Sequence, residues 1–427
     1  MIKRLSLIVL VVFTGISLRA QQILRLEDCR NIVVDSNISI KIAANLMRSA
    51  EAKTKATTRD FYPYLEAGGH FKYLATPVSI ELGNSLYEGD HNLYQVNAAL
   101  VQNVYQGGQV KTQTEIARFE QSIAGNTLML TTDEILFQTE VRYWNATWAK
   151  EANGISYKYK TLLDELVKVI SDKVEIGLVP KNDLLMTQVK QNEAELLIYK
   201  SRMQYAVAIM ELNRIIGYDI NTAIDVDGSS FYAESMVPVL AGLDTVLTQR
   251  PEISIQQDRV NISEKSISLT RSKYMPQVYV SALPTWGSPN TQLLDPNPNF
   301  NAALMATVSV PLVHWGKKQF EVSEKRVGYE SSLLEMEDLQ KQISLELNST
   351  YYQLEEASQR ITLTEASLQK ADENYKLIEE RYLAGLSPII ELLDAQYSWL
   401  LAYNSVLDSR LNYYYARASY FRVSGTI

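Results

Sequence analysis

The side chains able to do chemistry are few, and their spacing rules most chemistry out. His70, His91 and His314 lie far apart, without metal-ligand spacing, and read as solvated strand or loop positions. Cys29 is the single cysteine; it forms no internal disulfide and, inside a helical pattern, reads as packing. Glu355-Glu356 and Glu379-Glu380 are adjacent on helical patterns, where neighbours do not face each other, so they do not form a hydrolase's paired carboxylates. No catalytic residue, metal site or cofactor site is predicted. What remains is a set of acids, Asp183, Glu391 and Asp394, each shortly behind a Gly-Leu-x-Pro motif. At the start of a helix such acids are favoured by the helix dipole. Facing a narrow symmetric lumen, they would instead form rings of like charge that concentrate cations and resist anions.

Those acids must be carried by an exported chain. Lys3 and Arg4 precede a mostly apolar run, Leu5 to Leu18, and Ala20 offers a small residue before Gln21 and Gln22. This is the layout of a cleaved secretory signal over residues 1–20, too short to span a membrane. The chain of 427 residues has net charge −8, and residues 1–20 carry three cations and no acid, so cleavage takes the charge to −11. An acidic chain without basic clusters argues against a nucleic-acid partner. No later apolar run has spanning length, so a membrane crossing must use β-strands. Asn145-Ala-Thr and Asn348-Ser-Thr fall inside helical patterns and are treated as chance, and Tyr413-Tyr414-Tyr415 reads as helix packing.

The remainder is organised by a duplication. Gly177-Leu-Val-Pro180 and Gly385-Leu-Ser-Pro388 stand about 208 residues apart, and the same offset pairs Tyr143 with Tyr351, Arg214 with Arg422, and Gly217 with Gly425. Phe61-Tyr-Pro63 matches Tyr274-Met-Pro276, and Val104-Tyr-Gln-Gly107-Gly108 matches Val313-His-Trp-Gly316-Lys317. The first repeat covers 21–217: a helix from Leu26 to about Arg59, a β-hairpin at 64–104 and a long helical hairpin at 108–217. The second covers 245–427, with a β-hairpin at 277–312 and a helical hairpin at 314–424, and residues 218–244 join them in an equatorial segment. In the first hairpin Leu65, Ala67, Gly69, Phe71 and Tyr73 alternate with polar or small residues. After a polar loop from Thr76 to Asn92, Tyr94, Val96, Ala98 and Leu100 alternate again. The second hairpin repeats this with Val278, Val280 and Ala282, a Pro/Asn loop from Pro284 to Asn299, then Phe300, Ala302, Leu304, Ala306 and Val308. Alternating segments of about ten residues match outer-membrane strands. Each long helix runs about 70 residues, roughly 100 Å if continuous. Each ends in glycine and turns back through a proline, with Ser387 the better helix cap and Val179 the poorer.

Two hairpins give four strands per chain. Four strands cannot close a barrel, and open edges are not tolerated in lipid, so other copies must complete the sheet. Strand counting alone allows a dimer of eight strands or a trimer of twelve. The interior of eight would be filled by side chains, so a conduit favours the trimer.

The ordered set of motifs resembles the TolC-like outer-membrane efflux proteins over essentially the whole mature chain. The tips stand as Ile176-Gly-Leu-Val-Pro-Lys-Asn-Asp-Leu-Leu185 and Arg381-Tyr-Leu-Ala-Gly-Leu-Ser-Pro-Ile-Ile-Glu-Leu-Leu-Asp394, and Val310-Pro-Leu-Val-His-Trp-Gly316-Lys317 resembles the strand-to-helix junction. The resemblance implies an α+β membrane protein: a homotrimer with a twelve-stranded β-barrel in outer-membrane lipid, continued by a long α-helical barrel in the periplasm. It implies a passive exit duct of a tripartite efflux or type I secretion system, opened by a periplasmic adaptor (membrane fusion) protein and an inner-membrane pump or ABC exporter. Mapped by residue, the adaptor contact falls on Gly177, Leu178 and Val179 with Gly385, Leu386 and Ser387. The pore constriction falls on Asn182, Asp183, Tyr382, Glu391 and Asp394. Some members carry an arginine where this chain has Ser387, so closure here is expected through other contacts, Tyr382 among them. The second tip, with Tyr382 and two further acids, is the expected gate.

The alternative is an exported coiled-coil scaffold or adhesin without a channel. The two separate on fractionation: the duct requires detergent for extraction and shifts in gel mobility on heating, whereas extraction without detergent would exclude it.

Overall fold

The computed structural model describes residues 22–77, 79–83, 85–288 and 297–426. The expected signal at 1–20 lies outside the described residues. The chain divides into two compact units. One holds the described parts of Met1–Ser39, Thr132–Ala241 and Glu346–Ile427; the other holds Ile40–Thr131 and Gly242–Leu345.

In chain order the elements are β1 (Gln22–Leu24), α1 (Leu26–Ser36), α2 (Ile38–Arg59), β2 (Tyr64–Tyr73), β3 (Ser79–Leu82), β4 (Ser85–Glu88), β5 (Asn92–Gln106), α3 (Gln109–Glu175) and α4 (Lys181–Ile215). There follow β6 (Ile224–Val226), a 3-10 turn (Ser229–Tyr232), α5 (Leu243–Gln249), α6 (Pro251–Ser272), β7 (Gln277–Ser288), β8 (Asn299–Ser309), α7 (Lys317–Leu383) and α8 (Ile389–Ser424). The long helices α3 and α7 have 67 residues each, and the returning helices α4 and α8 have 35 and 36.

Three local expectations change. The opening helix breaks at Asn37, whose backbone is extended (φ −64°, ψ 132°). Its side chain does two jobs that a continuous helix would forbid: Oδ1 accepts the Ser39 N–H at 2.8 Å, and Nδ2 donates to the Ile215 carbonyl at 2.8 Å, where α4 ends. The expected loop Thr76 to Asn92 contains a small hairpin of its own, β3 paired with β4. Where a loop is expected from Pro284, β7 runs on for five more residues, to Ser288. Around the proline the pairing with β5 lapses at Leu283 and Pro284, while β8 still pairs Pro284 with Ala302 and keeps the strand in the sheet.

The first unit contains the larger core. Tyr143, Leu163, Ile170, Leu212, Ile216, Phe231, Leu354 and Leu392 are fully buried. At its centre the Trp144 and Tyr414 rings stack with centroids 3.6 Å apart and 14° between planes, and Phe231 lies 5.8 Å from Tyr414. Cys29 is buried here, and burial pushes its thiol up to about 12, which keeps it unreactive. β1 pairs in parallel with β6, tying the start of the described chain to the segment after α4.

The second unit is built on one antiparallel sheet with strand order β2-β5-β7-β8. β5 is the longest strand because it pairs with β2 through Val101 and with β7 as far as Gln106. Beyond it, Gly107 (φ +61°) and Gly108 (φ +82°) turn the chain into α3. The matching residues before α7 are Trp315 (φ +47°) and Gly316 (φ +81°). The matching of Gly107 with Gly316 therefore slips by one residue: Gly108 corresponds to Gly316, and Gly107 to Trp315.

A Cβ at Gly107 would lie 2.5 Å from Met275 Cβ and 2.8 Å from the Ser272 carbonyl, whereas one at Gly108 meets nothing within 4 Å. Gly108→Ala is expected to cost about 1–2 kcal/mol for the left-handed backbone alone. Gly107→Ala adds about 1–3 kcal/mol of overpacking. Heat-modifiability midpoints should rank wild type above Gly108→Ala above Gly107→Ala; equal midpoints for the two variants would contradict the close approach.

Candidate membrane face and helical tips

The register of the sheet brings the four alternating patterns onto one face. Leu65 stands opposite Leu100, Leu100 opposite Ala282, and Ala282 opposite Leu304. Gly69, Val96, Trp286 and Phe300 form a second row across all four strands. Phe71 opposite Tyr94 extends the aromatic level, and the Tyr94 and Trp286 rings lie 5.7 Å apart. Leu65, Phe71, Val96, Leu100, Trp286, Phe300 and Leu304 are exposed, Leu304 by 85%. The opposite face carries Glu66, His70, Lys72, Gln95, Asn97, Thr285, Asn301 and Thr307. The strands have 10, 15, 12 and 11 residues, sufficient for a tilted crossing of a bilayer. A continuous exposed apolar face of this size calls for hydrocarbon or another apolar surface. His70 and His91 sit on or beside these strands and His314 against Tyr274, at a ring distance of 5.1 Å. Among the described residues no group of His, Cys, Asp or Glu is placed to hold a metal ion, and no helix is long and apolar enough to cross a membrane.

The two helical tips belong to the other unit and close identically. Gly177 (φ +73°) donates its N–H to the Val174 carbonyl at 3.0 Å, and the Leu178 N–H reaches back to Lys173 at 2.8 Å. Gly385 (φ +76°) and Leu386 repeat this with Tyr382 at 3.0 Å and Arg381 at 2.8 Å. This paired closure needs a left-handed residue at its end, which explains glycine at both tips. Leu178 and Leu386 are 69% and 71% exposed, so the closure presents its leucine outward. Val179 is half-buried.

Ser387 does not cap α8. Pro388 and Pro180 occupy the cap positions, extended at ψ 157° and 149°, where the missing N–H costs no helical hydrogen bond. Ser387 is buried instead, and its hydroxyl donates to the Glu391 carboxylate. Asp183 and Glu391 hold equivalent places in the first turns of α4 and α8, their N–H groups donating to Pro180 and Pro388 at 3.1 and 3.2 Å. Asn182 is exposed and donates to Met186 Sδ at 3.4 Å, and Glu391 and Asp394 are exposed. Tyr382 is only 5% exposed. The Lys173 ammonium lies 4.7 Å from its ring centroid. Burial, and then the Asp183 carboxylate, push the Tyr382 phenol up. Tyr382 thus brings the two tips together. Lys190 of α4, 5.8 Å from the Tyr397 ring of α8, does the same further along.

Residues after α4 are pinned to the helices by side chains whose sequence pattern pointed only to packing. Tyr413 donates to the Met236 carbonyl and accepts its N–H, both at 2.9 Å. Tyr414 donates to the Ser230 carbonyl, and Tyr420 accepts the Ala241 N–H at 2.9 Å. Arg410 donates to the Phe231 and Ala233 carbonyls at 3.0 and 3.2 Å and pairs with Glu365. From the other side, Tyr143 donates to the Asp227 carbonyl at 2.7 Å and Lys150 to Asp225 at 2.8 Å. Burial opposes ionisation of Asp225, yet Lys150, Tyr205 and the Val226 N–H hold its carboxyl below the usual carboxylate range. The signal was the spacing of Arg410, Tyr413, Tyr414 and Tyr420 on one helical face.

The family model for outer membrane efflux proteins matches residues 32–218 and again residues 242–426. The chain belongs to the outer membrane efflux protein family. It is 21% identical over 287 residues to the alkaline protease secretion protein AprF of Pseudomonas aeruginosa, covering 66% of this chain and 59% of that protein. It is 18% identical over 405 residues to the probable efflux pump outer membrane protein TtgC of Pseudomonas putida, covering 91% of this chain and 80% of that one. Its fold is similar to the CmeC outer membrane channel of Campylobacter jejuni, at TM-score 0.82 and 15% identity, with 94% of this chain and 85% of that chain covered.

Among the described residues the Tyr382 hydroxyl has no hydrogen-bond partner. Tyr382→Phe is therefore expected to hold or raise thermal stability, since it removes an unpaired buried polar group worth about 1–3 kcal/mol. Tyr382→Ala should lose about 3–5 kcal/mol to the cavity. Thermal melts followed by circular dichroism decide; a large loss in the Phe variant would show that the hydroxyl is bonded.

Proposed function

We propose that the protein is a passive exit duct of the outer membrane, serving a tripartite efflux or type I secretion system. The observation that carries this reading is the exposed apolar face across four strands whose outer edges, on β2 and β8, have no partner among the described residues. Three copies close those edges as a twelve-stranded barrel, and the long helices continue it as an α-helical barrel in the periplasm. The two family matches, one in each half, support two repeats, 21–217 and 245–427, joined by an equatorial segment at 218–244. Energy comes from an inner-membrane pump or ABC exporter, and the exposed Leu178 and Leu386 beside Gly177, Val179, Gly385 and Ser387 take the periplasmic adaptor. Asn182, Asp183, Glu391 and Asp394 line the constriction, and Tyr382 supports it from beneath by fixing one tip against the other.

Reconstitution in planar bilayers tests the duct and its constriction together. The wild type is expected to conduct and to prefer cations, and Glu391→Gln and Asp394→Asn to move the reversal potential toward zero. Selectivity unchanged in both variants would remove the acids from the lumen; a detergent particle without three-fold symmetry and without conductance would remove the duct.

A further inference from the structure

The strand-to-helix junctions of the two halves differ in one respect that matching backbone does not explain. At the first, the left-handed position is Gly107, packed so closely on the end of α6 that no side chain fits. At the second, the same position is Trp315, the one non-glycine residue at positive φ among those described, and it is 94% exposed. A tryptophan held in a backbone region that costs it about 1–2 kcal/mol, with its indole in the open, marks a site with an absent neighbour.

The chain itself identifies that neighbour. β5 extends to Gln106 because β7 lies beside its last residues, pairing Gln277 with Gln106. β8 stops at Ser309, where β7 begins, so among the described residues no strand lies beside 310–314, the counterparts of 102–106. Leu312 and Val313 within that stretch are exposed, Leu312 by 86%. The strand that would pair with them is the counterpart of β7, namely β2, and within one chain β2 lies at the far edge of the sheet. It must come from a second copy. Placing the next copy's β2 as β7 lies on β5 brings His314 opposite its Tyr64. The residue after it then falls on the end of α2, where Tyr62 and Arg59 correspond to Met275 and Ser272. Tyr62 is exposed, and the Arg59 guanidinium lies 5.4 Å from its ring centroid.

We propose that Trp315 is a knob between copies, seated on the Arg59–Tyr62 pair of the next chain, with residues 310–314 ordering as a strand beside its β2. The inference rests on the closed trimer proposed above. It adds that the seam between copies is wider than the seam within a chain by one aromatic layer, since glycine fills the inner place and tryptophan the outer. The indole supplies a flat face to a guanidinium already aligned with a tyrosine, a chemistry suited to cation–π stacking.

The test uses the full chain in detergent. Tyr62 and Trp315 sit at opposite edges of a four-stranded sheet, three strand spacings or about 14 Å apart. That exceeds the roughly 7 Å between Cα atoms that a disulfide spans. A disulfide in the double variant Tyr62→Cys/Trp315→Cys therefore joins different copies, and the native Cys29 is buried. Oxidation is expected to give covalent trimers in the double variant and not in either single one. Trp315→Gly relieves the backbone; it is nevertheless expected to lower the trimer's dissociation midpoint, with Trp315→Phe recovering most of the loss. A three-fold particle that does not cross-link, or one that Trp315→Gly leaves equal or more stable, overturns the contact and leaves the duct standing. Absence of any trimer overturns both. A fluorophore on the thiol of the single variant Trp315→Cys, quenched by brominated acyl chains while the double variant fails to cross-link, would assign the indole to lipid and likewise overturn the proposal.

Discussion

Backbone N–H and C=O groups have no substitute partner in hydrocarbon, and this governs how the β part of the chain can exist. Within the chain, β5 and β7 satisfy each other and join the two hairpins into one sheet. That junction also fixes the register, and the register decides where every apolar side chain points. A shift of one residue between β5 and β7 would move Val280, Ala282 and Trp286 to the face that holds Asn97 and Gln95, splitting the apolar surface in two. The unpaired outer edges of β2 and β8 are the cost of building four strands from one chain, and the proposed assembly removes it.

The helical part depends on a different device. Its two tips are alike in backbone: the same left-handed glycine, the same pair of return bonds, the same proline entry. They diverge in side chains. Glu391 is tethered by Ser387, whereas Asp183 borders a buried Tyr382 covered by Lys173. The segment from Asp225 to Ala241 bonds to α3 and α4 through Tyr143, Lys150 and Tyr205, and to α8 through Arg410, Tyr413, Tyr414 and Tyr420. Apart from Asp225, the segment contributes mostly backbone carbonyls and N–H groups to these bonds, which any residue type could supply. That accounts for how little its composition revealed.

Periodic features were legible where one residue type has one local meaning. The alternation in four segments, the proline-free helical stretches and the Gly-Leu-x-Pro turns all placed elements within a few residues of where they lie. The errors fall where a local signal meets a tertiary partner. Asn37 breaks a helix because the end of α4 accepts its amide. Pro284 stays in a strand because β8 pairs with it where the pairing to β5 lapses. Ser387 looked like a cap and became a buried donor to Glu391.

By itself the sequence pointed to an exported, duplicated chain and laid out four amphipathic strands between long helices, because signal pattern, repeat spacing and hydrophobic period are properties of order along the chain. Only the tertiary structure decided that β5 meets β7, that all four apolar patterns share one face, and that Tyr382 lies inside a tip rather than on it. It also decided that Trp315, and not Gly316, stands at the position of Gly107. Each of these depends on which distant residues become neighbours, and a one-residue offset that a sequence comparison tolerates is fixed in space by a hydrogen bond or a positive φ.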